Sequence, residues 1–150
     1  MAAEPAPDDK PETEQPQNIY SDTVIDHAQN PRNAGDDPYP DGYAIITGPC
    51  GDTMGMWLRV KGDVIDRITF WTNGCGPSIA CGSMATEMTT GKRVAEALKI
   101  TQGDIIDRLG GLPEESQHCA LLAANTVKEA VRDYISLKKE PWKKAYRGGR

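Results

Sequence analysis

Between Thr53 and Lys61 long apolar side chains recur at every second position, Met54, Met56, Leu58 and Val60, which is the period of a strand with one buried face. Tyr43 to Gly48 and Val64 to Thr72 also read as strands, and Gly62-Asp63 supplies a tight turn between the second and third runs. These three segments predict an antiparallel meander. Ahead of it, Ile19, Val24, Ile25 and Ala28 fall at helical spacing. Asn30-Pro31 ends that helix, because a residue before proline avoids helical angles, and the loop AGDDPYPDGY follows. Beyond Thr72 the apolar period lengthens to that of helices. Pro77 stands at a first-turn position, Met84, Ala85 and Met88 share a stripe, and Gly91 closes the segment. Val94 to Lys99 and Ile105 to Leu109 predict two shorter helices, with Thr101 or Gly103-Asp104 as caps and Gly110-Gly111 as a stop. The last helix begins near Ser116 and carries Ala120, Ala123, Ala124, Val127, Val131 and Tyr134 on its core face. Strands followed by helices predict an α+β fold, a small antiparallel three-stranded sheet with helices packed on one face.

Length and composition narrow this further. At 150 residues, 38% apolar and 26% charged, the chain has the make-up of one globular domain. Its longest uncharged run, Ile68 to Thr86, is rich in Gly, Ser, Thr and Cys and too polar to span a bilayer, so no membrane segment is expected. Residues 1–18 hold Glu4, Asp8, Asp9, Glu12 and Glu14 against Lys10, which is −4 of the total −5. With four prolines and little to bury, they predict a disordered acidic tail. They also lack the features of a signal or transit peptide, and a cytoplasmic location is the expectation. The remaining charge of −1 gives no field that favours nucleic acid. Residues 139–150 are expected to form a basic, solvated C-terminal tail, leaving residues 19–138 as the domain.

Four cysteines in a reducing compartment point to metal or redox chemistry before disulfides. Cys50 falls in a PCGD loop between strands, Cys75 in an NGCG turn between a strand and a helix, and Cys119 in the first turn of the last helix, beside His118. Three thiols at element ends, flanked by glycine or histidine, depart from the usual small buried cysteine. Cys75 and Cys119 lie near helix N-termini, where the dipole lowers a thiol pKa. The intervals of 25 and 44 residues match no zinc-finger spacing, so a shared metal site and a single reactive cysteine both remain open on spacing alone. Asp52 adds an oxygen donor but also suits a turn.

The order YSDTVIDHAQNPRN, PCGDTM, TNGCGPSIA, HCALLA resembles the IscU/NifU-type iron-sulfur cluster assembly scaffolds along about residues 19 to 138. The resemblance implies a compact α+β domain on which a [2Fe-2S] cluster is built from iron and cysteine desulfurase-derived sulfur, then passed to acceptor apo-proteins. It implies a carrier without turnover chemistry of its own. By position, Cys50, Cys75 and Cys119 match the family's three scaffold thiols, and Asp52 and His118 its two auxiliary ligands. Five candidate groups around a cluster needing four permit stepwise exchange.

The chain departs from the resemblance at two places. Leu112-Pro113-Glu114-Glu115-Ser116 replaces a stretch recognised by a dedicated chaperone pair in many bacterial members, which tells against that partner. Cys81 stands where a small polar residue is usual, and its place on the stripe of Met84, Ala85 and Met88 reads as a core thiol. His27 lies far from the cysteine loops in sequence and reads as a structural or surface residue before a ligand, and Trp57 and Trp71 read as packing residues of core or interface. The rival reading is a zinc-bound sulfurtransferase relative, with Zn2+ on Cys50, Asp52, Cys75 and Cys119. Such relatives tend to carry an insertion between the second and third cysteine motifs, and this chain lacks one. A monomer or weak homodimer is expected, as is a core that survives metal removal, unlike a structural zinc module.

Overall fold

The computed structural model describes residues 19–146. The expected tail at residues 1–18 and the last four residues of the C-terminal one lie outside the described residues. Helix α1, Asp22–Gln29, starts at Ser21, whose side chain accepts the Val24 N–H, and ends at Asn30 as the following proline requires. Strands β1 (Gly42–Thr47), β2 (Thr53–Lys61) and β3 (Val64–Thr72) form an antiparallel sheet in that order. The β2–β3 turn is Gly62-Asp63, both at positive φ, as the hairpin reading anticipates. Residues 33–35 cover part of the outer edge of β3, with Phe70 N–H donating to Asn33 and Gly35 N–H donating to Phe70.

The helices pack on one face of this sheet. Helix α2 (Gly76–Thr89) lies against β3 and the long helix α5 (Gln117–Lys139) against β1 and β2, and the two helices also touch each other. Met54, Met56 and Leu58 point from β2 into the core they share, meeting Ala80, Cys81, Ala120, Ala123 and Val127. Helix α2 is buried round most of its circumference, from Ser78 to Thr89, so the single stripe expected from Met84, Ala85 and Met88 understates its burial. Two short helices bridge α2 and α5: α3 (Val94–Ala97) and α4 (Gln102–Arg108), the latter opened by a capping box between Thr101 and Asp104. A 3-10 turn, Glu114–Ser116, leads into α5, and one helical turn, α6 (Lys143–Tyr146), follows it inside the segment expected to be a solvated tail. Among the described residues no helix is long and apolar enough to cross a membrane.

The tryptophans divide. Alternation turns both away from the helices, because Met56 and Leu58 take the inner face of β2 and Phe70 that of β3. Trp57 is still buried, its ring lying where a side chain at Gly55 would otherwise stand. Trp71, opposite Gly55 in the sheet, is 49% exposed, so of the core or interface packing expected of it the core does not hold. His27 is buried on α1 with Nδ1 2.7 Å from Ser83 Oγ of α2, which is the structural one of the two uses expected. Cys81 is fully buried, as a core thiol should be, and burial pushes its pKa up.

Candidate metal centre

Three chain segments meet at one end of the sheet. The β1–β2 loop is tight: Gly48 N–H donates to Asp52 and Gly51 N–H to Gly48, at 2.8 and 3.0 Å, and the Thr47 and Thr53 hydroxyls pair at its base. It presents Cys50 exposed and Asp52 half-buried. The β3–α2 turn is tied to the same place, since Thr53 N–H donates to Asn73 Oδ1 and the Thr72 hydroxyl to the Thr53 carbonyl, both at 2.8 Å. That turn ends at Cys75, the N-cap of α2, whose carbonyl accepts the Ile79 N–H while its exposed thiol makes no capping bond. The third segment is the first turn of α5, fixed from behind by Gln102, which donates to the Gln117 carbonyl, and by Tyr20, whose hydroxyl pairs with that of Ser116. It delivers His118 and Cys119.

One ligand atom each from Cys50, Asp52 and His118 lies within 4.8 Å of the others. Ligand atoms around one tetrahedral zinc stand roughly 3.5 Å apart, so modest closure would complete three positions. The set of sulfur, nitrogen and carboxylate oxygen suits borderline metals. Cys119 Sγ is 3.7 Å from His118 Nε2, so both adjacent side chains face this centre from the helix start. Neither Cys75 nor Cys119 is part of the close group, although Cys119 lies beside its His118.

Position at a helix N-terminus predicts a lowered pKa for Cys119, and the structure gives the opposite. Burial raises it first, and Cys75, Asp52 and Cys50 add to the rise, against a hydrogen bond from Ser78 that lowers it. A neutral thiol is the favoured form until a metal replaces the proton. Ser78 itself went unassigned in the sequence, though it lies within NGCGPSIA three residues after Cys75. Its hydroxyl reaches Asp52 Oδ2 at 3.1 Å and Cys119 Sγ at 3.3 Å from the site's floor. Beside the centre runs an apolar groove lined by Ile46, Pro49, Leu121 and Leu122.

A sequence profile described as NifU-like N terminal domain matches residues 19–141. The chain belongs to this family. Its relatives include two proteins named iron-sulfur cluster assembly scaffold protein IscU, one from Archaeoglobus fulgidus, 48% identical over 118 residues (78% of this chain and 77% of that protein). The other, from Aquifex aeolicus, is 42% identical over 119 residues (77% and 76%). A solved NifU-like N-terminal protein from Brucella abortus superposes with a TM-score of 0.64 at 18% identity, covering 80% of this chain and 96% of that one. That likeness speaks for the α+β fold of this NifU-type domain.

Proposed function

We propose that this protein is a scaffold on which a [2Fe-2S] cluster is assembled and from which it is handed to acceptor apo-proteins. The observation that carries the reading is the close group of Cys50, Asp52 and His118, with Cys119 Sγ 3.7 Å from His118 Nε2 and Cys75 at the end of the adjoining β3–α2 turn. The relatives named as scaffolds of this type support it. The three thiols accept sulfur from a cysteine desulfurase and ligate the cargo; Asp52 and His118 are the auxiliary ligands. The two irons of such a cluster take four protein ligands, so five candidates leave one exchangeable. Exposed Cys50 and Cys75 meet the incoming donor, and buried Cys119 anchors. The protein acts as a carrier without turnover chemistry, as a monomer or weak homodimer in the cytoplasm, and without the dedicated chaperone pair.

A second reading is favoured by the close group of Cys50, Asp52 and His118, which suits a single Zn2+ before any cluster forms. In that reading the protein is a zinc-bound acceptor of persulfide sulfur. Anaerobic incubation with a desulfurase, cysteine, ferrous iron and a dithiol reductant, which supplies the electrons that turn persulfide sulfur into sulfide, separates the two. The scaffold gains visible absorbance with two irons and two sulfides per cluster; retained zinc with bound sulfur and no iron would overturn it.

A further inference from the structure

Ser78 is the third residue of α2 and has no exposed surface, yet its hydroxyl serves two groups delivered by other segments, Asp52 of the β1–β2 loop and Cys119 of α5. A hydroxyl has one proton to donate. The Asp52 carboxylate only accepts, and the Cys119 sulfur stands as a second acceptor, so the two share the one Ser78 proton at 3.1 and 3.3 Å.

The contact is built into the backbone. A Cβ at Gly74 would stand 2.4 Å from Ser78 Oγ and 2.9 Å from Asp52 Oδ2, so residue 74 closes over the pair and leaves no room for a side chain. We propose that Ser78 is a positioning residue: it donates to one Asp52 oxygen and so aims the other at a metal shared with Cys50 and His118. Groups that orient ligands in this way typically change metal affinity by about 10–100-fold when removed.

The proposal rests on the ligand set of the scaffold reading, but its test needs no cluster. Co2+ and Zn2+ affinities of the apo-protein are measured for wild type, Ser78→Ala, Asp52→Ala and the double variant, with the visible bands of bound Co2+ as a coordination signature. Ser78→Ala is expected to weaken binding about tenfold or more and to shift the Co2+ bands, with Ser78→Thr, which keeps the hydroxyl, returning both toward wild type. In the Asp52→Ala background the serine change should add less than about twofold, since it acts through that carboxylate. Equal losses in both backgrounds, or wild-type affinity in Ser78→Ala, would overturn the proposal. A wild type that passes this cycle yet never forms a cluster would sink the scaffold reading and leave the role of Ser78 standing.

Discussion

Burial holds the Cys119 proton in place, and the charges of Cys75, Asp52 and Cys50 oppose its loss further, while Cys81 is buried deeper still. Alkylation requires the thiolate and access to it. In the folded apo-protein at pH 7.5, iodoacetamide followed by peptide mass spectrometry should modify Cys50 and Cys75 first and Cys119 more slowly, with Cys81 protected until denaturant is added. Fast labelling of Cys119 would contradict the burial argument. Cys81→Ala should retain metal and lose on the order of 1 kcal/mol of stability, the cost of a small cavity. Asp52 carries a different expectation. A carboxylate oxygen is the weakest iron ligand of its set, so Asp52→Ala should still assemble a cluster but release it more slowly to an apo-ferredoxin. Faster decay of its visible absorbance than in wild type would instead mark Asp52 as a loop former. At this scale the sequence displays chemistry better than environment. Cys50, Asp52 and His118 stand out by residue type and meet in the fold, whereas the pKa of Cys119 and the part played by Ser78 depend on packing between segments 41 residues apart.

The elements are held to one another by buried polar contacts that no periodicity reveals. Asp37, in the loop before β1, is almost fully buried and accepts two bonds from the Arg59 guanidinium of β2 at 2.7 and 2.6 Å, which hold its carboxyl below the usual range. His27, which docks α1 on α2, is shifted down by burial, so the neutral ring is the folded form. Both shifts mean that the unfolded chain binds more protons, so stability rises with pH and is lost as pH falls in both cases. For His27 the loss begins as pH drops through about 6.5, and for Asp37 only below about 4. Urea midpoints between pH 8 and 3 should therefore fall in two steps, and His27→Gln should remove the upper one. An unchanged profile in that variant would show that α1 docks independently of the ring's charge. Asp37→Ala should cost about 2 kcal/mol at pH 7, because Arg59 loses a paired carboxylate yet keeps some access to water. The elements themselves were far more legible. The bounds of β2 and β3 follow directly from alternation and turn chemistry, while the open position of Trp71 depends on which sheet face the helices cover.

At the scale of the whole molecule, the core and the candidate metal centre overlap little. The buried cluster runs from Val24 to Val131 through β2, β3 and the main helices, with Ala44 and Ile46 of β1 packed against it, and of the five candidate ligands it includes Cys119 alone. A core of that extent supplies the hydrophobic driving force without a metal, which separates this chain from small zinc modules whose binding energy is their folding energy. Removal of metal by a chelator should leave the far-ultraviolet circular dichroism and a cooperative thermal transition in place. Adding Zn2+ should raise the transition, because an ion that binds only the folded chain stabilises it by about 2.7 kcal/mol at a hundred times its dissociation constant. The gain should shrink in Cys50→Ser and in Asp52→Ala, whose side chains lie outside the core, and remain in Cys81→Ala, whose side chain lies within it. Loss of the folded spectrum on chelation would show that the three loops hold the sheet and helices together through the metal, and the division between core and centre would have to be abandoned.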